Sequence, residues 1–119
     1  MKKTLVFGAS LKPNRYSNLV IQKLVAHGIE TVAFGQKSGE VSGVQIKTNL
    51  KDFHNIHTIT LYINAQRQPE YYWEIANLRP KRVIFNPGTE NPEFYEILKE
   101  SNIEVEVACN LVLLATGQY

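Results

Sequence analysis

Cysteine, long apolar runs and a large excess of one charge are all lacking in this sequence. The single cysteine, Cys109, excludes an internal disulfide, and a free thiol suits a reducing compartment. The apolar run after Lys3 stops at Gly8, too short for the core of a signal peptide, and the run 111–115 is too short to span a bilayer. The formal net charge of +2 is too small to indicate binding to nucleic acid or to a membrane surface. We therefore expect a cytoplasmic protein with neither kind of partner.

Recognisable catalytic motifs are also lacking. The sequence has no glycine-rich Walker motif and no arrangement of serine, histidine and aspartate that suggests a nucleophile with its base. His54 and His57 have no acidic or thiol partner at metal-ligand spacing, and His27 fits a helix C-terminus. We therefore assign no catalytic residue and expect no metal site.

The patterns that are present predict a single α/β domain over residues 1–119. Of these 119 residues, 44% are hydrophobic, enough for one core. The alternation of strands and helices predicts a doubly wound parallel sheet of about five strands, with helices on both faces. Apolar runs predict strands at 4–7, 31–34, 57–63, 82–85 and 104–108, with a short edge strand at 43–46 and a loop over 36–42. Helices are predicted from near Ser17 to His27-Gly28, from Pro69 to before Pro80, from Pro92 behind an Asn91 cap, and in a short last segment capped by Asn110.

The first seventeen residues carry the clearest functional signal. The strand 4–7 runs into the small residues Gly8-Ala9-Ser10, and a helix that Ser17 can cap comes next. Small residues let the backbone approach an anion, and the amides and dipole of a helix N-terminus favour negative charge. Lys12 and Arg15 lie between the strand end and the helix and add positive charge. This segment therefore predicts a phosphate-binding turn.

The residues after the first two strands narrow the kind of phosphate ligand. The dinucleotide fingerprint G-x-G-x-x-G is missing, because Ser10 and Pro13 stand where the later glycines would be. A cofactor with free ribose hydroxyls usually meets an acidic residue after the second strand, but the sequence there is Phe34-Gly35-Gln36-Lys37. Lys37 suggests a phosphorylated ribose, which fits coenzyme A or NADP. On position alone, a solvated loop lysine is the simpler interpretation.

Several stretches along the whole chain resemble a known family. They are Gly8 to Ser17, Gly43-Val44-Gln45-Ile46 before Leu50, Thr60 to Asn64, Phe85 to Asn91, and Ala108 to Val112. In these stretches the chain resembles the small stand-alone CoA-binding proteins, whose fold is similar to the CoA-binding domain of the succinyl-CoA synthetase alpha subunit. The resemblance implies a Rossmann-like domain with coenzyme A lying along the strand tips.

The same resemblance implies roles for particular residues. The turn from Gly8 to Ser17 would hold the pyrophosphate, Lys37 would match a lysine near the CoA phosphates, and residues after two later strands would line the rest of the path. The expected ligand-binding residues are Gly8, Ala9, Ser10, Lys12, Arg15, Tyr16, Ser17, Gly35, Lys37, Tyr62, Asn64, Asn86, Pro87, Gly88 and Cys109. The synthetase also has a phosphorylated histidine in a second domain, and no histidine here matches that motif. The resemblance therefore implies binding of coenzyme A without thioester synthesis.

Three functional hypotheses remain open from the sequence. The first is a module that binds CoA or an acyl-CoA as a carrier, sensor or regulatory subunit, with no protein partner indicated. The second is a small NADP-dependent oxidoreductase or a nucleotide-binding subunit of one. The third is a domain that binds no nucleotide and serves only protein contacts. Cys109 fits a mixed disulfide with the CoA thiol, but a free cysteine is more often a small buried apolar residue.

Overall fold

One sheet of seven strands forms the centre of the protein, whose computed structural model describes residues 2–119. The strands are β1 (Thr4–Phe7), β2 (Thr31–Phe34), β3 (Gly39–Val41), β4 (Val44–Lys47), β5 (Thr58–Leu61), β6 (Arg82–Phe85) and β7 (Glu104–Val107). The helices are α1 (Tyr16–Ala26), α2 (Tyr72–Asn77), α3 (Pro92–Glu100) and α4 (Asn110–Ala115), with 3₁₀ turns at Leu50–Asp52 and Gln68–Tyr71.

The strand order is β3-β4-β2-β1-β5-β6-β7, and every neighbouring pair is parallel except β3 with β4. Strands β1, β5 and β6 are buried at every position, as expected for central strands covered on both faces. Along β1, Leu5 and Phe7 belong to the core under α2 and α3, whereas Val6 belongs to the core under α1 and α4. This alternation confirms the doubly wound arrangement with helices on both faces.

The predicted strand count was too low, because the segment 36–42 is not all loop. Residues Gly39–Val41 form β3, which pairs antiparallel with β4. Ser42 and Gly43 connect the two strands with φ values of +50° and +80°, as a tight two-residue hairpin requires. Since β3 covers its outer side, β4 is not the edge strand that the sequence predicted. The polar residues of β3 acquire strand geometry only through this pairing.

Two predicted helix caps were wrong and one is confirmed. Helix α1 begins one residue earlier than expected, with Arg15 at the N-cap position and Ser17 already in the first turn. Helix α4 begins at Asn110 itself, with Cys109 at the N-cap position. The Asn91 side chain does cap α3, since its oxygen accepts a hydrogen bond from the Phe94 amide at 3.3 Å. Across residues 2–119, no helix has the length and apolar character that crossing a membrane requires.

Candidate functional site

A cleft of about 690 Å³ lies at the carboxyl ends of β2, β1, β5 and β6. This volume is in the range of small-molecule binding sites, and the position is where open parallel sheets bind ligands. All but two of the residues that the sequence assigned to ligand binding line the cleft, namely Gly8, Ala9, Ser10, Lys12, Arg15, Tyr16, Ser17, Gly35, Lys37, Tyr62, Asn64, Pro87 and Gly88. The exceptions are Asn86 and Cys109.

The turn after β1 is held tightly against β2. Gly8 has a φ of +97°, and a Cβ atom at this position would lie 2.9 Å from Cγ2 of Ile63. The amides of Gly8 and Ala9 both donate to the Phe34 carbonyl oxygen, at 2.9 and 2.8 Å. These two amides are therefore committed to the fold, and the turn contributes shape and close backbone approach more than donors.

Donors for an anion come instead from the start of α1. No side chain caps this helix, and its first turn contains no acidic residue. The amides of Tyr16 and Ser17 have no hydrogen-bond partner within residues 2–119. Unpaired amides at a helix N-terminus, together with the helix dipole, attract an anion. The missing cap therefore leaves the end of α1 open toward the cleft.

Asn18 connects this helix to the turn, a role that sequence reasoning missed. Its side chain is 3% exposed, and its Nδ2 donates to the Ser10 carbonyl oxygen at 2.9 Å. Its Oδ1 accepts a hydrogen bond from Gln22 Nε2 at 2.7 Å. The only signal in the sequence was a polar residue on the side of α1 that faces the core. Asn18 thus fixes the distance between the two halves of the predicted phosphate site.

Four basic side chains line the cleft, and one of them was not predicted. They are Lys12, Arg15, Lys37 and Arg67, and none of the lining residues that the structure describes is an Asp or Glu. The ion pairs formed within residues 2–119 are Lys3 with Glu30 and Arg82 with Glu106, so none of the four cations is neutralised. A cleft lined by charge of one sign concentrates ligands of the opposite sign. The site is built for a ligand with several negative charges.

Aromatic side chains form the other part of the lining. Tyr71 meets the ring of Phe7 edge-on, with 5.1 Å between ring centroids, and the ring of Phe34 at 5.8 Å. All three residues line the cleft. The sequence assigned Tyr71 no role in ligand binding, whereas the structure shows it in the lining of the cleft. The lining therefore offers apolar surface beside the basic residues.

Tyr62 lies at the bottom of the cleft with its hydroxyl buried. The hydroxyl has no hydrogen-bond partner among the described residues. Burial raises the pKa of the Tyr62 phenol well above its usual range, and a negative charge on Cys109 would raise it further. Tyr62 therefore stays neutral and adds no negative charge to the cleft.

Asn86 lies beneath the cleft and joins three elements. It is 2% exposed, and its Nδ2 donates to Thr60 Oγ1 at 2.8 Å and to the Leu61 carbonyl oxygen at 3.0 Å. Its Oδ1 accepts a hydrogen bond from the Asn110 amide at 2.8 Å. The contacts that the structure shows are thus internal, linking β5 and β6 to the start of α4.

Cys109 and Glu90 lie at the far end of the row of strand tips. Cys109 is a half-buried free thiol next to Asn110, outside the lining of the cleft. The Glu90 carboxylate accepts a hydrogen bond from the Gly88 amide at 2.9 Å. Glu90 therefore stabilises the turn after β6.

The fold and the cleft define a Rossmann-like domain with a basic ligand cleft at the strand tips. A family model described as a CoA binding domain matches residues 2–115. The chain therefore belongs to this family of CoA-binding domains.

Several solved structures have the same fold as this chain. A crystal structure described as that of an uncharacterized protein is 48% identical and has a TM-score of 0.96, with 100% of this chain and 98% of the other covered. A hypothetical protein from Pyrococcus horikoshii OT3 is 28% identical with a TM-score of 0.81, over 91% of this chain and 76% of the other. The protein cell-free ID.343 from Thermus thermophilus has the same fold, with 24% identity, a TM-score of 0.88, and coverage of 99% and 90%. A comparison with curated proteins gave no match.

Proposed function

We propose that this protein binds coenzyme A or an acyl-CoA in the cleft and acts as a carrier, sensor or regulatory module. The observation that carries the proposal is the set of four unpaired basic residues that line the cleft, together with the open end of α1, in a chain of the CoA-binding family. Coenzyme A carries a pyrophosphate and a phosphate on its ribose, so its charge matches this lining. Its pantetheine arm is largely uncharged and suits the aromatic part of the cleft.

In this proposal, different residues of the cleft bind different parts of the ligand. The unpaired amides of α1, with Lys12 and Arg15, bind the pyrophosphate. Lys37, on the loop after β2, binds the phosphorylated ribose. Tyr62 to Asn64 and Pro87-Gly88 line the path of the pantetheine arm. The lining residues that the structure describes include no His, Cys, Asp or Glu, which supports binding without thioester synthesis.

We further propose that the protein works in the cytoplasm. The free thiol of Cys109 supports this location, because such thiols persist in reducing compartments.

The resemblance to the CoA-binding domain of the succinyl-CoA synthetase alpha subunit supports a role as a binding module for another activity.

Isothermal titration with CoA, acetyl-CoA, NADPH and NADH tests the proposal. We expect CoA and acetyl-CoA to bind, and the double variant Arg15→Gln/Lys37→Met to bind CoA at least about tenfold more weakly, because each lost contact is charge-assisted. The matched control is Arg79→Gln/Lys81→Met, which removes the same two charges outside the cleft and should leave the affinity unchanged. Binding of NADPH alone would favour an oxidoreductase, and binding of none of the four ligands would leave a domain for protein contacts.

A further inference from the structure

We propose that Arg67 binds the pyrophosphate of coenzyme A from the wall of the cleft opposite Lys12 and Arg15. This inference rests on the proposed function and adds a binding residue that no sequence motif indicated. The two walls leave the sheet toward opposite faces. Lys12 and Arg15 precede α1, which packs on one side of the sheet, and Arg67 precedes α2, which packs on the other.

The loop that carries Arg67 is held rigidly. The Arg67 amide donates to the carbonyl and side-chain oxygens of Asn64, both at 3.1 Å. The next residue, Gln68, is fully buried, and its Nε2 donates to the carbonyl oxygens of Ile63 at 2.9 Å and Thr89 at 2.8 Å. Gln68 Oε1 accepts a hydrogen bond from Asn91 at 2.9 Å. The loop is therefore fastened to the ends of both β5 and β6.

The Arg67 guanidinium, in contrast, is uncommitted. It lines the cleft and makes no hydrogen bond or ion pair within the described part of the chain. Because the backbone is already fixed, only the side chain of Arg67 loses conformational freedom when an anion binds. The planar guanidinium also offers paired donors that match phosphate oxygens.

The strand order decides which phosphate lies within reach of Arg67. β5 is the neighbour of β1, and the two strands end at the same level, with Phe7 opposite Leu61. Adjacent strands are about 4.8 Å apart, so the loop after β5 borders the Gly8 turn. β2, which leads to Lys37, lies on the other side of β1. The loop that carries Arg67 thus starts beside the predicted pyrophosphate position and one strand further from the predicted ribose phosphate.

Titration of Arg67→Gln with three ligands tests this assignment. The ligands are CoA, 3′-dephospho-CoA and malonyl-CoA, whose acyl group carries a carboxylate. All three contain the pyrophosphate, so we expect one and the same loss of affinity for each, of about tenfold. The comparison variant Lys37→Met should instead weaken the binding of CoA and leave the affinity for 3′-dephospho-CoA unchanged. Arg79→Gln is the control for loss of a guanidinium elsewhere.

Each other result overturns the assignment in a recognisable way. A loss that disappears with 3′-dephospho-CoA would place Arg67 on the ribose phosphate, and a loss confined to malonyl-CoA would place it on the acyl group. Unchanged affinity for all three ligands would show that Arg67 is a solvated side chain. In each of these cases the unaltered protein still binds CoA. If the unaltered protein did not bind CoA, the proposed function itself would be refuted. The thermal midpoint of Arg67→Gln without ligand should match that of unaltered protein, because the Gln68 hydrogen bonds are intact.

Discussion

At the scale of single residues, the backbone and the cleft constrain each other at Gly8. Its positive φ is unfavourable for a residue with a side chain, and the space for a Cβ atom is filled by Ile63 Cγ2 and by the Tyr62 carbonyl carbon at 3.1 Å. Tyr62 and Ile63 directly follow strand β5, which is buried at every position and cannot move aside easily. Glycine is thus required here for two separate reasons.

Gly8→Ala should therefore lower the free energy of unfolding by about 2 kcal/mol or more, from backbone strain and the contact with Tyr62 and Ile63 together. Chemical denaturation measures this change. The control is Gly117→Ala, which has a φ of +70° but open space around the new methyl group, and should cost only about 1 kcal/mol. Equal losses of stability for the two variants would contradict the close packing of the Gly8 turn against Tyr62 and Ile63.

At the scale of elements, Asn86 holds the sheet and α4 together beneath the cleft. Two of its three hydrogen bonds reach a carbonyl oxygen of β5 and the first amide of α4, and both of these bonds are buried. Such groups cost free energy when they lose a partner in a dry environment. The position of α4 against α1 follows from this connection.

Asn86→Ala should lower the free energy of unfolding by about 3 kcal/mol, because it leaves buried polar groups unpaired. Where the variant is still folded, its affinity for CoA should stay within about twofold of that of unaltered protein, because the hydrogen bonds of the Asn86 side chain are all internal. Denaturation and calorimetry measure the two quantities. Asn77→Ala, at an exposed position in α2, is the control and should change neither. A large loss of affinity at preserved stability would return Asn86 to the set of ligand contacts.

At the scale of the whole molecule, the charge is distributed unevenly. The formal net charge is only +2, yet the cleft gathers four basic side chains and, within the described residues, no acidic one. The molecule as a whole therefore has little pull on anions, whereas the cleft has a strong local one. This field is exposed to solvent and should respond to salt.

The affinity for CoA should fall at least about tenfold between 0.05 and 0.5 M potassium chloride, because salt shortens the range of these interactions to a few ångströms. Titrations across the salt series measure the slope. The Arg15→Gln/Lys37→Met variant should show a shallower slope, and Arg79→Gln/Lys81→Met the same slope as unaltered protein. A slope that is identical in all three would mean that the cleft charges do not attract the ligand.

The sequence by itself determined the architecture and most of the cleft lining. Unbroken apolar runs such as 82–85 marked the central strands, because a strand covered on both faces needs apolar residues throughout. The turn at Gly8 and the basic residues that follow it could also be found, because they form a local pattern between a strand and a helix. The ends of parallel strands meet at one edge, so residues after each strand predicted one common cleft.

Only the tertiary structure decided how these pieces are used. The strand β3 exists through pairing with β4, and the amides of Gly8 and Ala9 are taken by Phe34 of the neighbouring strand. The loop of Arg67 is held at the cleft by the bonds of Gln68 to Thr89 and Asn91. The contacts with Phe34, Thr89 and Asn91 join residues far apart in the chain, and a local pattern carries no record of such contacts.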